Sequence, residues 1–493
     1  MTVDPKKLLW LAVALFLIAA LLRFYRIANQ SLWIDEVWSL SQARLDWQVL
    51  LSPGGYTDIH PPVYYLCLKC VAPLADVGPA FFEAALRMLS VVSSTLAVLA
   101  LVWLGTIVFD RPTGVLGGLF LAVSAFSIWY AQEVRMYSLA LLLVILQLAL
   151  AVRIKKAKAS LGAWVLLYCV SVAAGLTHWY SVFVWPFLVG YPLWGAPARR
   201  IVLRWLGFFL AVSIPLALYL IPKIAQGRGG EMSGTSDLKN LMFTLWSFWT
   251  GYSAGPSVLE LHTPEPFALM QRFIPSILLM GSSAALVTVL AASPLLRTVP
   301  RSQAVWLVTW FLLALVGPFL LARLTGRVHN ARYSFAAFPA AVLLIAAAAR
   351  YAPKTWQRAG ICAGYLLPQI LCLANYYWNP YYWREDFRSV AGYLEEHPES
   401  QGALLSSSVA QDALAAYGVI DWEWEDYPHW RPWSEELRDR MAGHLSGGQE
   451  LWHLTADRWR TKEQAITRYL IQNFLLLQQR RWHGVELNIY GSP

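Results

Sequence analysis

Charge is scarce in this chain of 493 residues. Only 14% are Asp, Glu, Lys or Arg, where a soluble domain carries about 25%, which excludes an ordinary water-soluble globular fold. The five cysteines, Cys67, Cys70, Cys169, Cys362 and Cys372, lie mostly inside apolar runs, so a disulfide framework is excluded and CLKC reads as two small apolar residues. No G-x-G-x-x-G or P-loop string occurs, which removes the usual means of holding a nucleotide. No small-residue cleavage site follows Lys6, Lys7 and the first apolar run, so that run is expected to stay as an uncleaved helix. The formal charge of +9 does not indicate nucleic-acid binding, because the bases sit in short clusters between apolar segments. Fixed-period repeats and low-complexity segments are also missing.

Long apolar runs are abundant instead. With 57% hydrophobic residues and a mean hydropathy of +0.45, the composition is that of a polytopic membrane protein. Eleven spans are expected, over residues 8–25, 83–109, 113–130, 135–153, 161–177, 179–195, 201–221, 272–293, 304–322, 333–349 and 359–376. Placing Lys6 and Lys7 inside puts Arg111, then Arg153, Lys155, Lys156 and Lys158, then Arg199, Arg200 and Arg204, then Arg297 and Arg301, then Arg350, Lys354 and Arg358 on the same side. That is the distribution of a cytoplasmic face. HPPVYYLCLKCVAPL (60–74) is too short and too proline-bounded to cross, and is expected to lie along the outer interface with Lys69 snorkelling. NLMFTLWSFWTGY (240–252) is likewise too short, and belongs to a long outer loop over 222–271.

After residue 376 the character changes, and more than half of the acidic residues fall in this last quarter. WREDFRSVAGYLEEHP reads as a capped amphipathic helix, GALLSSSV, ELWHLTADRW and GVELNIY as strands, and KEQAITRYLIQNF as a helix. The expectation is an all-α polytopic membrane domain, residues 1–376, followed by a small α/β domain, residues 377–493. An odd number of spans places that domain outside the plasma (inner) membrane. DWEWEDYPHWRPW (421–433) reads as solvated or saccharide-facing surface.

With that topology, the unusual polar residues fall on the outer face: Asp35 and Glu36 in LWIDEVWS, His60, Glu83 and Arg87, then Gln132, Glu133 and Arg135 in WYAQEVRMY, His178, and Arg323, Arg327, His329 and Arg332. Carboxylates can take a proton from a hydroxyl, arginines can hold phosphate through paired charge-assisted bonds, and histidines can shuttle protons, donate to phosphate or bind metal. Together these suit group transfer from a lipid phosphate at a membrane boundary. Plainer roles compete at each position: a hydrated loop end for Asp35 and Glu36, a turn for His60, ion pairs for Glu83 with Arg87 and for Glu133 with Arg135, and an interface anchor for His178, Arg323 or Arg332.

The ordered motifs LWIDEVWS, HPPVYYL, YAQEVRMYSL, GLTHWY and HNARYSFAAFPA, spread over residues 8–350, resemble those of the GT-C superfamily of integral-membrane glycosyltransferases. The likeness is to the bacterial branch related to protein O-mannosyltransferases and the lipid A aminoarabinose transferase. The resemblance implies inverting transfer of a sugar from a polyprenyl-phosphate donor to a hydroxyl acceptor of lipid, polysaccharide or protein. In it, Asp35 is the base and Glu36 orients Asp35 or the acceptor. Arg135 and Arg332 lie near the donor phosphate, and the rest of the substrate pocket is formed by His60, Gln132, Glu133, Tyr137, His178, Arg327, His329 and Tyr333. Some relatives hold a divalent metal and others work without one; Glu36, Glu133 and His60 carry the ligand atoms for it. The other readings are a transporter or flippase of lipid-linked sugars, which should show paired broken helices and an inverted repeat, and a membrane-anchored assembly partner without catalysis.

Overall fold

The computed structural model of the chain describes residues 5–53, 55, 58–156, 160–188, 199–225, 235–262, 270–397, 402–420, 422–427, 433–456 and 463–492. Lys158, the end of the span expected over 179–195, and parts of 222–271 and 421–433 lie outside the described residues. Two compact units are formed, the first from 1–27, 42–253 and 277–374, the second from 28–41, 254–276 and 375–493.

The helices run α1 (Pro5–Phe24), α2 (Ile34–Arg44), α3 (Val63–Val71), α4 (Phe82–Val108), α5 (Arg111–Ala122), α6 (Ala125–Ala131), α7 (Tyr137–Lys156), α8 (Leu161–Thr177), α9 (Arg199–Ala225), α10 (Leu238–Thr250), α11 (Ile274–Arg297), α12 (Arg301–Leu324), α13 (Phe338–Tyr351) and α14 (Thr355–Trp378). Among the described residues seven helices are long and apolar enough to cross a membrane, and the bent pair α5 and α6 makes an eighth. Shorter apolar helices at Trp10–Phe24, Leu161–Thr177 and Trp179–Leu188 occupy the other expected positions. α3 has nine residues and α10 thirteen, too few to cross a core that needs about 20. Half-buried Lys69 donates from Nζ to the carbonyls of Ala43 and Leu45 at 3.3 and 2.7 Å, covering the open C-terminal end of α2.

The sequence reads 113–130 as one span, yet α5 and α6 meet at a bend of 59°. Ser124 restarts the helix by accepting from the Ser127 amide. The carbonyls freed at the end of α5 are taken by Arg23 of α1, whose guanidinium is fully buried. Its Nη1 donates to Ala122 O at 2.9 Å and its Nη2 to Leu121 O at 3.2 Å and Ser127 Oγ at 3.0 Å, while Nε donates to Ser94 Oγ at 2.8 Å. A cation at a helix C-terminus meets both the orphan carbonyls and the negative end of the dipole. α4 and α5 can run close together because Gly105 faces Gly114, whose Cα would stand 2.7 Å from any added Cβ.

The C-terminal part of the second unit contains α15 (Phe387–Glu395), β1 (Ala403–Ser407), α16 (Ser408–Ala416), β2 (Glu423–Tyr427), α17 (Glu435–Ser446), β3 (Leu451–Ala456), α18 (Gln464–Asn473), β4 (Leu475–Trp482) and β5 (Val485–Gly491). The sheet order is β2-β1-β3-β5-β4; β1 pairs parallel with β2 and β3, and β5 antiparallel with β3 and β4. Leu405, Leu437, Met441, Leu451, Ile466 and Leu470 form a buried core within this domain. The expected capped helix is α15, where Asp386 accepts from the Ser389 amide. Of the acidic, tryptophan-rich segment, EWEDY forms the edge strand β2.

Candidate functional site

In the first unit the loop before α3 carries Asp58, a buried residue that no sequence motif singles out. Its Oδ1 accepts the His60 amide at 3.0 Å, its Oδ2 accepts the Tyr65 hydroxyl, and its main-chain carbonyl accepts Lys223 Nζ at 2.6 Å. Burial opposes the charge, but the neighbouring His60 and Arg135 and the Tyr65 hydroxyl outweigh it and hold the carboxyl below its ordinary value. Asp58 is therefore an anion at neutral pH, and it balances a cluster of donors.

That cluster contains five of the residues expected from sequence. His60 is buried, and its imidazole lies 5.2 Å from that of His178. His178 caps the end of α8 and is wholly buried; its Nδ1 accepts the Tyr180 amide at 3.2 Å. This bond fixes the proton on Nε2, an atom with no hydrogen-bond partner among the described residues. Burial first, then the charges of His60, Arg135 and Arg332, push its pKa well below the ordinary value, so the ring stays neutral. Arg135 is buried in the turn between α6 and α7, and its carbonyl accepts Ser90 Oγ at 3.2 Å. Tyr137 starts α7 with its ring 5.4 Å from His178, and the Arg332 guanidinium stands 5.9 Å from that ring. Phe335 closes on His178 at 5.1 Å.

The remaining expected residues are placed differently. Gln132 donates through Nε2 to the carbonyls of Arg23 and Tyr25, both at 2.8 Å, which fixes the exit of α1. Glu133 is buried, and its carbonyl accepts the Arg135 amide at 2.8 Å. Tyr333 stacks on Tyr180 at 4.9 Å. His329 is buried with Nε2 3.3 Å from Thr244 Oγ1 and 3.4 Å from Ser334 Oγ; burial pushes its pKa down to about 4. Arg327 is exposed, and its carbonyl accepts Ser236 Oγ at 2.6 Å.

Asp35 and Glu36 belong to the second unit, in the first turn of α2. Asp35 is half-buried. Glu36 is fully buried; its Oε2 accepts the Trp33 amide at 3.2 Å and stands 4.0 Å from Arg384 Nη1. No group of three or more His, Cys, Asp or Glu side chains able to hold a metal ion occurs among the described residues, and no step below is routed through a metal.

Comparison with solved structures places the chain among known architectures. ArnT from Cupriavidus metallidurans bound to undecaprenyl phosphate is similar with a TM-score of 0.58 at 13% identity, over 99% of this chain and 98% of that one. The Archaeoglobus fulgidus oligosaccharyltransferase tethered to an acceptor peptide gives 0.53 at 12% identity, over 92% and 69%. The AglB oligosaccharyltransferase of the same organism, in complex with an inhibitory peptide and a dolichol-phosphate, gives 0.52 at 13% identity, over 90% and 69%. No protein-family model matches the sequence, and no curated protein matches it. The chain has the GT-C fold that its motifs resemble, in a multi-pass membrane protein with a small C-terminal sheet domain.

Proposed function

We propose that this protein is a glycosyltransferase that moves a sugar from a polyprenyl-phosphate donor to a hydroxyl acceptor at the outer face of the plasma membrane. The observation that carries the reading is the cluster in which buried Arg135, His60 and His178 gather with half-buried Arg332, with the Asp58 carboxylate beside His60 and Arg135. Two guanidinium groups and a neutral imidazole with an unused Nε2–H are the donors a phosphate requires, and fixed dipoles in a water-poor site act on developing charge at low reorganisation cost. A largely open apolar groove of ≈ 540 Å³, lined by Val182, Trp185, Phe209 and Leu216, starts four residues along the chain from His178 and suits an isoprenoid tail. ArnT and AglB, which share the fold, were solved with undecaprenyl phosphate and dolichol-phosphate.

In the proposed step Asp35 takes the proton of the acceptor hydroxyl, and the oxygen attacks the anomeric carbon from the side opposite the phosphate. The carbon–oxygen bond to phosphate breaks, its electron pair stays on the lipid phosphate, and the configuration inverts. Arg135 and Arg332 stabilise the charge that develops on the leaving group. The transporter reading draws on the bend between α5 and α6. However, the carbonyls exposed at that bend are already occupied by Arg23, and it is the only bent pair among the described residues.

The test is to supply the protein in lipid with a panel of polyprenyl-phosphate sugars and a broad acceptor mixture, and to follow free polyprenyl phosphate by mass spectrometry. Release that disappears in Asp35→Asn while donor binding persists supports the reading. A wild-type protein that binds donor and never turns it over refutes it.

A further inference from the structure

The segment that leads into Asp35 is held, residue after residue, by side chains and main chain from the far end of the sequence. Arg388, in the first turn of α15, donates from Nη1 to Ala28 O and from Nη2 to Asn29 O, each at 3.0 Å. The Arg384 amide donates to Gln30 Oε1 at 3.2 Å, and the Arg388 amide to Ser31 Oγ at 3.1 Å. The Tyr417 hydroxyl, at the end of α16, accepts the Leu32 amide at 2.7 Å and lies 3.2 Å from Ser31 Oγ. Next comes Trp33, whose ring faces the Arg384 guanidinium at 5.7 Å, and then Glu36, the ion-pair partner of that same guanidinium. Residues 28–41 accordingly fold as part of the second unit with 375–493.

A half-exposed loop tied by one or two hydrogen bonds would need no such continuity. Here Ala28, Asn29, Gln30, Ser31, Leu32 and Trp33 are each engaged, and the series stops at the turn that carries Asp35. Glu36 is both the cap that starts α2 and the anchor of the tether, so the carboxylate beside Asp35 is committed to structure.

We infer that the C-terminal domain is a placement device for the Asp35 turn, with Arg384, Arg388 and Tyr417 as its positioning residues. The inference rests on the proposed role of Asp35 as base and gives the C-terminal domain a part in the same reaction. A catalytic group must be held to a fraction of an ångström, and a 1 Å displacement costs about 100-fold in rate. Loosening the tether therefore lowers kcat and leaves donor binding alone.

Tyr417→Phe removes a single oxygen, and Arg388→Gln removes the two bonds to Ala28 and Asn29. Both are made in the full-length protein in nanodiscs and examined by amide exchange and by transfer kinetics. Exchange over residues 28–36 is expected to rise about tenfold or more with residues 125–137 unchanged, while kcat falls about 10- to 100-fold and the donor KM holds. Arg388→Lys, which keeps a donor, recovers part of the loss. Asp35→Asn abolishes transfer without altering exchange. Unchanged exchange over 28–36 overturns the tether, and raised exchange with undiminished kcat overturns its positioning role. A wild-type protein with no transfer at all refutes the functional reading instead, and the exchange arm still decides whether the tether orders the turn.

Discussion

His178 and His60 face each other with ring centroids 5.2 Å apart, and the His60 amide donates to the Asp58 carboxylate at 3.0 Å while the His178 Nδ1 accepts the Tyr180 amide. The pair is therefore asymmetric. His178, wholly buried and near two arginines, is kept neutral below its ordinary pKa of 6.5, and its free Nε2–H points to a role as a neutral donor.

Donor binding is accordingly expected not to strengthen between about pH 7.5 and 5.5, the window in which an ordinary histidine would gain charge. His178→Gln, which retains an N–H near the position of Nε2, should keep more affinity than His178→Ala. Titration of a fluorescent polyprenyl phosphate across this range checks both outcomes; tightening at acid pH that vanishes in His178→Gln would contradict them.

Removing the guanidinium of Arg332 should weaken binding of the lipid phosphate by about 10- to 100-fold, the worth of a charge-assisted hydrogen bond. Arg332→Lys should restore little, because an ammonium lacks the planar fork. Equilibrium binding in detergent, with circular dichroism as a control for folding, measures this directly.

Asp58→Asn removes the anion that faces His60 and Arg135, and is expected to cost about 2–3 kcal/mol at neutral pH. Because the folded pKa lies below the ordinary 3.8, this stabilisation is fully present above that pH and is lost as the pH falls through the folded value. The difference in melting temperature between wild type and variant should be constant from about pH 7 to 5 and should shrink only in stronger acid.

Within the C-terminal domain, His444 Nε2 lies 2.9 Å from Glu425 Oε1 on the edge strand β2, and its Nδ1 lies 2.8 Å from Gln449 Oε1. Burial works against the charge, but Gln449, Glu425 and Glu423 outweigh it and raise the pKa above 6.5. The pinning of β2 is complete below 6.5 and is lost as the pH rises through the folded value. Arg440, 3.2 Å from Glu425 Oε2, persists as a second contact. The protection of the β2 amides, taken relative to their intrinsic exchange rate at each pH, should fall between about pH 6 and 8, and His444→Ala should remove that loss of protection.

The membrane helices were legible because apolar length is a local property, and so was the capped start of α15. The break at Ser124 was harder to see: both sides of it are apolar, and what stabilises it is Arg23, a cation about a hundred residues earlier. Asp58 escaped notice for the same reason. Its surroundings come from Tyr65, Arg135 and Lys223, and nothing in the string YTDIHPP announces them. Glu36 stands in the motif LWIDE beside Asp35, yet its use is set by Arg384 far along the chain. Motif reading grouped the two acids, and burial separates them.

Arg23 also constrains the order of events during synthesis. Its acceptors at Leu121, Ala122 and Ser127 follow it by 98 to 104 residues, a delay of roughly 5 to 20 s at about 5–20 residues per second. Until then, of the acceptors named here, the guanidinium has only Ala19 O of its own helix and, after 71 residues, Ser94 Oγ. The set of bonds that fixes the end of the first helix is therefore completed only by α5 and α6, a later part of the polypeptide.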